Sequence, residues 1–340
     1  MSRAQLTSTV EQNTGGAVAP YVGGKNKIIN GDFGIWQRGT SSTASNSFIA
    51  DRFFNFWDGS GTFTVSQQSF DYSSSPAADK LPISGYTGTY FQRIALNTTG
   101  STTLYQTATR VEDVRTFAGQ TFTFSFWAKA NTATTLTGYI EQYFGTGGST
   151  TSGPASNTYA FTTSWQRFSY TVLMPSITGK TIGAGNYLQF TLRSSTIASG
   201  VYFDIWGVQL EAGSVATPFT TATGTLSGEL TACQRYYSVG QSIGIVNATV
   251  DGGGNYRSYP QNFLPVTMRT TPTIGITSYT AGTVNKVTSN IFFSVYGGSG
   301  ADSTSAASAV TITNNSFTLS GVNSTNGKYD GANWTATAEL

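Results

Sequence analysis

The sequence has no histidine and a single cysteine among 340 residues. Without histidine there is no Ser-His-Asp triad, no imidazole general base and no histidine-ligated zinc. Cys233 alone cannot close an intrachain disulfide or build a cysteine-rich metal site, and a small apolar core position is its expected place. Charge is also scarce: 10% of residues, with 18 basic against 16 acidic and a formal net charge of +2. No basic block stands out, so nucleic acid is not an expected partner. No apolar run is long enough to cross a bilayer, and residues 1–25 lack the apolar core of a signal peptide. Synthesis and folding in a cytosol, without membrane insertion, are therefore expected.

What the chain does have is 14% aromatic residues and 39 glycines. Long Ser/Thr/Gly stretches separate the aromatic runs, which is the composition of an all-β protein. The length suits two domains, or one with an appendix, and allows a large core without staples.

The stretch 201–219 organises the rest. Val201, Phe203 and Ile205 alternate with Tyr202, Asp204 and Trp206, the period of a strand with one buried face. After Gly207 the apolar phase moves to Val208 and Leu210, which predicts a β-bulge at Trp206-Gly207. This reads as the last strand of a β domain whose first strand lies near residue 28. Other strands are predicted over 90–96, 121–129, 138–144, 166–174 and 187–193. In 121–129, Phe122, Phe124, Phe126 and Ala128 are assigned inward and Thr123, Ser125, Trp127 and Lys129 outward. In 138–144, Ile140 and Phe144 oppose Tyr139, Glu141 and Tyr143. Many antiparallel strands, each with one wet face, predict a two-sheet sandwich, and a jelly roll over 26–222 is the expected architecture. Asp51 and Arg52, inside the aromatic run 48–57, are expected to be charges paired at the edge of its core.

Leu226, Leu230, Cys233 and Tyr237 recur at helical spacing, with Ser227 as a candidate cap, so 223–240 is assigned as a helical linker. From 241 to 340 a smaller, sparser β domain is expected, with strands over 242–250, 256–259, 263–268, 273–279, 291–296, 310–312, 316–319 and 333–338, and a loop over 301–309. Residues 1–25 are polar and Gly-rich apart from 17–22, and read as an N-terminal arm that orders on another protein through Pro20, Tyr21 and Val22.

Four pieces together carry a resemblance. They are Asn30-Gly31-Asp32-Phe33 with Trp36-Gln37-Arg38-Gly39 and Ala50-Asp51-Arg52-Phe53; Trp206 to Gly213 with Thr217-Pro218-Phe219; Cys233-Gln234-Arg235-Tyr236-Tyr237; and Trp334 to Leu340, preceded by Met268 to Pro272. The set resembles tail-fibre-like virion proteins of bacteriophages, whose central domain is similar to carbohydrate-binding jelly rolls of the galactose-binding type. The resemblance implies a structural or binding role rather than catalysis, on the exterior of a phage particle, with the chain made in the host cytoplasm. It also implies a homotrimer, other virion proteins as partners of the arm, and host surface polysaccharide as ligand. A capsid or tail decoration protein is the alternative.

Sugar sites combine an aromatic platform with nearby polar groups. The candidates are Tyr139, Glu141 and Tyr143; Trp127 beside Lys129; and Tyr187 with Gln189 and Arg193. Each row has a plainer reading as packing against a neighbouring subunit. A calcium site is implied by the jelly-roll resemblance near the paired first and last strands, where Asp32 and Asp204 are the candidate ligands. Enzyme readings are thin. Glu112 and Asp113 are adjacent and would point apart on a strand, which leaves Glu141 with Asp204 as the one conceivable glycosidase pair.

Overall fold

The structure, a computed structural model, describes residues 24–73, 86, 88–102, 104–194, 198–245, 249–250, 256–258, 261–278, 308–323 and 329–340. Pro20, Tyr21 and Val22, the predicted strand over 291–296 and most of the predicted loop at 301–309 lie outside these. The chain divides into two compact units, Met1–Glu229 and Leu230–Leu340.

In chain order, the described strands of the first unit are β1 (Ser41–Ser42), β2 (Ser47–Phe48), β3 (Phe53–Trp57), β4 (Thr62–Ser69), β5 (Tyr90–Thr98), β6 (Tyr105–Val111), β7 (Thr121–Ala130), β8 (Thr134–Tyr143), β9 (Ser152–Phe161), β10 (Gln166–Leu173), β11 (Tyr187–Ser194) and β12 (Tyr202–Ala212). They form two antiparallel six-stranded sheets: sheet A in the order β1-β4-β5-β12-β7-β10, and sheet B in the order β2-β3-β6-β11-β8-β9. From β4 onward the chain passes repeatedly between the sheets, the wiring of a jelly-roll β-sandwich. Six of these strands escape the sequence reading: β1, β2, β3, β4, β6 and β9.

Alternation fills the space between the sheets. Phe122, Phe124, Phe126 and Ala128 of β7 meet Leu188, Phe190 and Leu192 of β11, all of them buried. Phe124 stacks on Phe190 with ring centroids 5.1 Å apart. Phe63 of β4 stacks on Tyr105 of β6 at 4.8 Å. Burying each such side chain stabilises the fold by about 1.5–3 kcal/mol.

β12 is the central strand of sheet A. Its register against β7 shifts between Trp206 and Gln209, where Gly207 has φ +64°. A Cβ on Gly207 would also sit 3.0 Å from the Trp127 ring. The bulge turns the apolar phase over, so Ile205 and Val208 both face the core.

β10 keeps Ser169, Thr171 and Leu173 exposed, but over β7 and β12 the outer face of sheet A is covered, contrary to the expectation of one wet face per strand. Thr123, Ser125, Lys129, Asp204, Gln209 and Glu211 are all buried there. Residues 24–33 run alongside β12: Lys27 N donates to Leu210 O, and Val208 N donates to Gly31 O. Gly31 has no alternative, because a Cβ would lie 2.1 Å from Val208 O. Phe70, Tyr86, Phe91, Trp165, Trp206 and Phe219 build an aromatic layer over the same face, with Trp206–Phe219 centroids 4.8 Å apart and Phe91–Trp165 centroids 5.3 Å apart. Gly24 N donates to Ala222 O, which ties this segment to the loop after β12.

Helix α1 (Leu226–Gln234) follows. Its cap is Thr225, whose Oγ1 accepts from Gly228 N at 3.1 Å; Ser227 already lies inside the helix. Leu226 is exposed, and the buried α1 residue of the first unit is Glu229.

The second unit contains β13 (Tyr237–Ile245), β14 (Thr249–Val250), β15 (Tyr256–Ser258), β16 (Gln261–Phe263), β17 (Thr273–Ser278), β18 (Ser308–Ile312), β19 (Ser316–Asn323) and β20 (Tyr329–Thr337). β20 lies between β13 and β17, while β19 pairs with β15, β16 and β18. Its core is Leu264, Met268, Phe317, Trp334, Ala336 and Ala338. Arg269 Nε and Nη2 donate to Ala338 O and Glu339 O at 2.9 and 3.0 Å, and Arg269 N donates to Arg235 O. Three of the sequence motifs thus meet as a clamp on the chain end.

Candidate functional site

Two surfaces of the sandwich hold the sequence-predicted residues, and they differ in kind. On the sheet A side, the recurrent motifs are structural latches. Asn26 Nδ2 donates to Val208 O and Thr220 O at 3.1 and 3.0 Å, while its Oδ1 accepts from Ile28 N and Leu210 N. Asn30, at φ +60°, donates to Ile35 O and Asp51 O and accepts from Ile35 N. Asp51 takes Arg38 Nη1 at 2.9 Å and Gln37 Nε2 at 2.7 Å, and Arg52 donates to Arg110 O.

Glu211 accepts from Thr217 N, Thr217 Oγ1 and Gln209 Nε2, and pairs with Lys25 at 3.2 Å. Burial alone would raise its pKa, but these donors together outweigh burial and hold it below the usual carboxylate range. Arg167 donates to Ser125 Oγ and Thr217 O, pinning the loop after β12. Glu229 accepts from Asn30 N, Thr223 N and Thr223 Oγ1. Here burial prevails and raises the pKa. No periodicity in the sequence marks Glu229, whose role depends on a partner 199 positions away.

The calcium candidates fall within this covered layer. Asp204 receives Arg93 Nε and Nη2 at 2.7 and 2.8 Å, and Lys129 Nζ lies 3.7 Å from it. Its oxygens are committed to cations of the protein. Asp32 accepts from Tyr86 Oη at 3.1 Å and Gly34 N at 3.4 Å, and burial raises its pKa. Among the described residues no cluster of three or more Asp, Glu, Cys or His is placed to hold a metal. Trp127 also belongs to this side. It is half-buried against the core beside Gly207, and its neighbour Lys129 is buried, with Nζ 5.5 Å from the Trp165 ring centroid. It is therefore on the opposite sheet from every other predicted sugar contact.

On the outer face of sheet B the remaining candidates converge. Register places Tyr187 opposite Tyr143, Gln189 opposite Glu141, Thr191 opposite Tyr139 and Arg193 opposite Thr137. On the other flank, Gln189 is opposite Arg110 and Arg193 is opposite Gln106. Same-face residues on adjacent strands lie close enough for flat groups to stack. The Arg110 guanidinium sits 5.2 Å from the Phe54 ring centroid and 4.7 Å from that of Tyr187, and Tyr187 lies 4.6 Å from Tyr143. Phe48 continues this ladder, 5.3 Å from Phe54. Arg110 Nε donates to Gln189 Oε1 at 2.9 Å, and Gln189 Nε2 donates to Glu141 Oε2 at 3.1 Å, so a polar relay runs beneath the rings. Burial pushes the Tyr187 phenol up, with Arg110 partly offsetting it.

Tyr139 departs from its predicted role as a platform. The Arg193 guanidinium lies 3.9 Å from its ring centroid and occupies that ring face. Between the Arg193–Tyr139 pair and the ladder lies Thr191, whose buried Oγ1 has no hydrogen-bond partner among the described residues. Thr191, Arg110 and Phe54 are site residues that sequence reasoning missed; the alternation of β11 does put Thr191 on the face of Gln189 and Arg193. Glu141 and Asp204 occupy outer faces of opposite sheets and cannot act on one glycosidic bond. A small cavity between the sheets is lined by Phe53, Phe124, Phe126, Phe190 and other residues without an ionisable group.

No family model matches the chain, and no curated protein matches it. Among solved structures, a structure described as CBM4 is 20% identical, with TM-score 0.34, covering 55% of this chain and 99% of that one. A family 11 carbohydrate-binding module from Clostridium thermocellum, in complex with a mixed-linked tetrasaccharide, is 13% identical, with TM-score 0.30, covering 52% and 98%. The enzymatically active domain of tailspike protein 4 from bacteriophage CBA120 is 18% identical, with TM-score 0.36, covering 56% of this chain and 22% of that one.

Proposed function

We propose that this chain binds glycans on the outer face of sheet B. The observation that carries the reading is the convergence there of Tyr139, Glu141, Tyr143, Tyr187 and Arg193, half-buried and left uncovered by the segments that seal sheet A. Upright aromatic edges, amide and carboxylate acceptors and guanidinium donors suit a ligand made of hydroxyls and apolar C–H faces. Tyr143, the last ring of the ladder, is the platform. Individual contacts are expected to be weak, in the millimolar range of about −4 kcal/mol, and to gain strength by multivalency.

The sequence motifs support placing that activity on a phage particle, as a fibre-like receptor-binding virion protein that engages host surface polysaccharide. In this reading the chain is a homotrimer held to other virion proteins by residues 1–25 with Pro20, Tyr21 and Val22 as the anchor. One observation favours a second reading, in which the protein is a capsid or tail decoration. The ladder's ring faces are largely spent on one another, as they would be in a surface kept for protein contact. The test is host adsorption of particles carrying Tyr143→Ala with Tyr187→Ala. The glycan reading predicts intact particles that adsorb at least tenfold less. Unchanged adsorption with failed assembly would establish the decoration reading instead.

A further inference from the structure

We infer that the Arg193 end of the sheet B face is an anion subsite, and that the glycan bound there carries carboxylates. The inference rests on the glycan reading of this face and narrows it to acidic polysaccharides. Among the described residues Arg193 makes no ion pair, and its position is set by stacking on Tyr139. Glu141, on the neighbouring strand, lies two residues along β8 from Tyr139, the ring that Arg193 covers, about 7 Å along the strand, and it is engaged by Gln189. Gln106, on the other flank, is neutral. The subsite therefore holds one positive charge with no ion-pair partner among the described residues, and its planar fork is already oriented.

Stacking leaves the edge of a guanidinium free to donate, and two parallel N–H bonds match a carboxylate. Because Arg193 occupies the ring face of Tyr139, this end cannot read a sugar by stacking and must read it by charge. Thr191 supplies the second, independent feature. Its side chain is buried between the two stacks, and among the described residues its hydroxyl has no partner. A small displacement of Arg193 onto a ligand would open that hydroxyl to a sugar oxygen. Tyr143 lies four residues from Tyr139 on the same strand, about 13 Å. A chain lying along β8 would meet the platform at one end and the cation at the other.

The test uses the full chain and three polymers, polygalacturonate, alginate and hyaluronate, each compared with its carboxyl methyl ester, which keeps the backbone and removes the charge. The expected result is at least tenfold tighter binding to one or more free acids than to the corresponding ester, weakening with added salt. Arg193→Gln should abolish that preference. Arg193→Lys, which keeps the charge but not the fork, should retain only part of it. Thr191→Val should lower acid affinity severalfold without lowering thermal stability. Equal binding of acids and esters, or an intact preference in Arg193→Gln, would overturn the anion subsite while leaving the glycan reading standing. Binding to none of these polymers, nor to neutral glycans, would overturn both.

Discussion

The two outer faces of the sandwich are built from similar alternating strands and end in opposite states. On sheet A the outward residues of β7 and β12 are buried beneath residues 24–33, the loop after β12 and a layer of six aromatics. Its charged groups are matched inside the protein: Asp204 with Arg93 and Lys129, Glu211 with Lys25 and Thr217. On sheet B the outward Tyr139, Glu141, Tyr143, Tyr187 and Arg193 remain half-exposed, and among the described residues Arg193 has no ion-pair partner and the buried Thr191 hydroxyl has no hydrogen-bond partner. Unsatisfied buried atoms occur under the sheet A cover as well, at Trp165 Nε1, Trp206 Nε1 and Thr220 Oγ1, so the faces differ in charge pairing and cover rather than in polar satisfaction. A covered face with paired charges closes a fold, whereas an open face with a charge left over has something to bind.

Substitutions should separate the faces by what they damage. The largest effect is expected from Asp204→Asn, which leaves Arg93 and Lys129 uncompensated on a covered face. A loss of about 3–5 kcal/mol is expected, read as a fall of about 10 °C or more in thermal midpoint. Retention of wild-type stability would show that the covered face is not held by this charge set. Asn26→Ala should come next. It strands two backbone N–H groups and two carbonyls at the seam between residues 24–33 and β12, and a cost of about 2–3 kcal/mol in denaturant titration is expected.

A smaller effect appears with pH. Glu211 has a folded pKa below its unfolded value, so its contribution is complete above the ordinary carboxylate pKa of about 4 and is lost as pH falls through the lower folded value. Glu229 and Asp32 are raised and work in the opposite sense, because protonation relieves their burial. Glu211→Gln should therefore make the acid limb of the stability curve shallower, and a limb as steep as that of the wild type would contradict the assignment. The smallest stability effect is expected on sheet B. Tyr143→Ala with Tyr187→Ala removes one stacked pair, worth about 0.5–1.5 kcal/mol beyond the area it buries, and should leave the sandwich folded.

These differences also show what the chain reveals before it folds. Period-two alternation was legible wherever one face is aromatic, as in β7, β8 and β11, and the phase change at Gly207 announced the bulge. β6 and β9 were not legible because their inward positions are shared among Thr, Ala, Tyr and Phe without a clean apolar period. Which outward row would be covered could not be read locally. The cover on β12 comes from residues about 180 positions earlier, and Arg93 reaches Asp204 across 111 positions. The same limit hid the occupation of Tyr139 by Arg193, which follows from the pairing of β8 with β11. Thr225 takes the cap from Ser227 because the helix starts one residue before the expected cap.

The division of labour between the faces is tested most directly by glycan-array profiles of the wild-type chain and of Tyr143→Ala with Tyr187→Ala, with thermal midpoints measured on the same samples. The wild type should bind a defined set of glycans. The double variant should lose at least tenfold in signal across that set while its midpoint falls by no more than a few degrees. An unchanged profile in the double variant, or no glycan bound by the wild type, would contradict the assignment of glycan binding to sheet B.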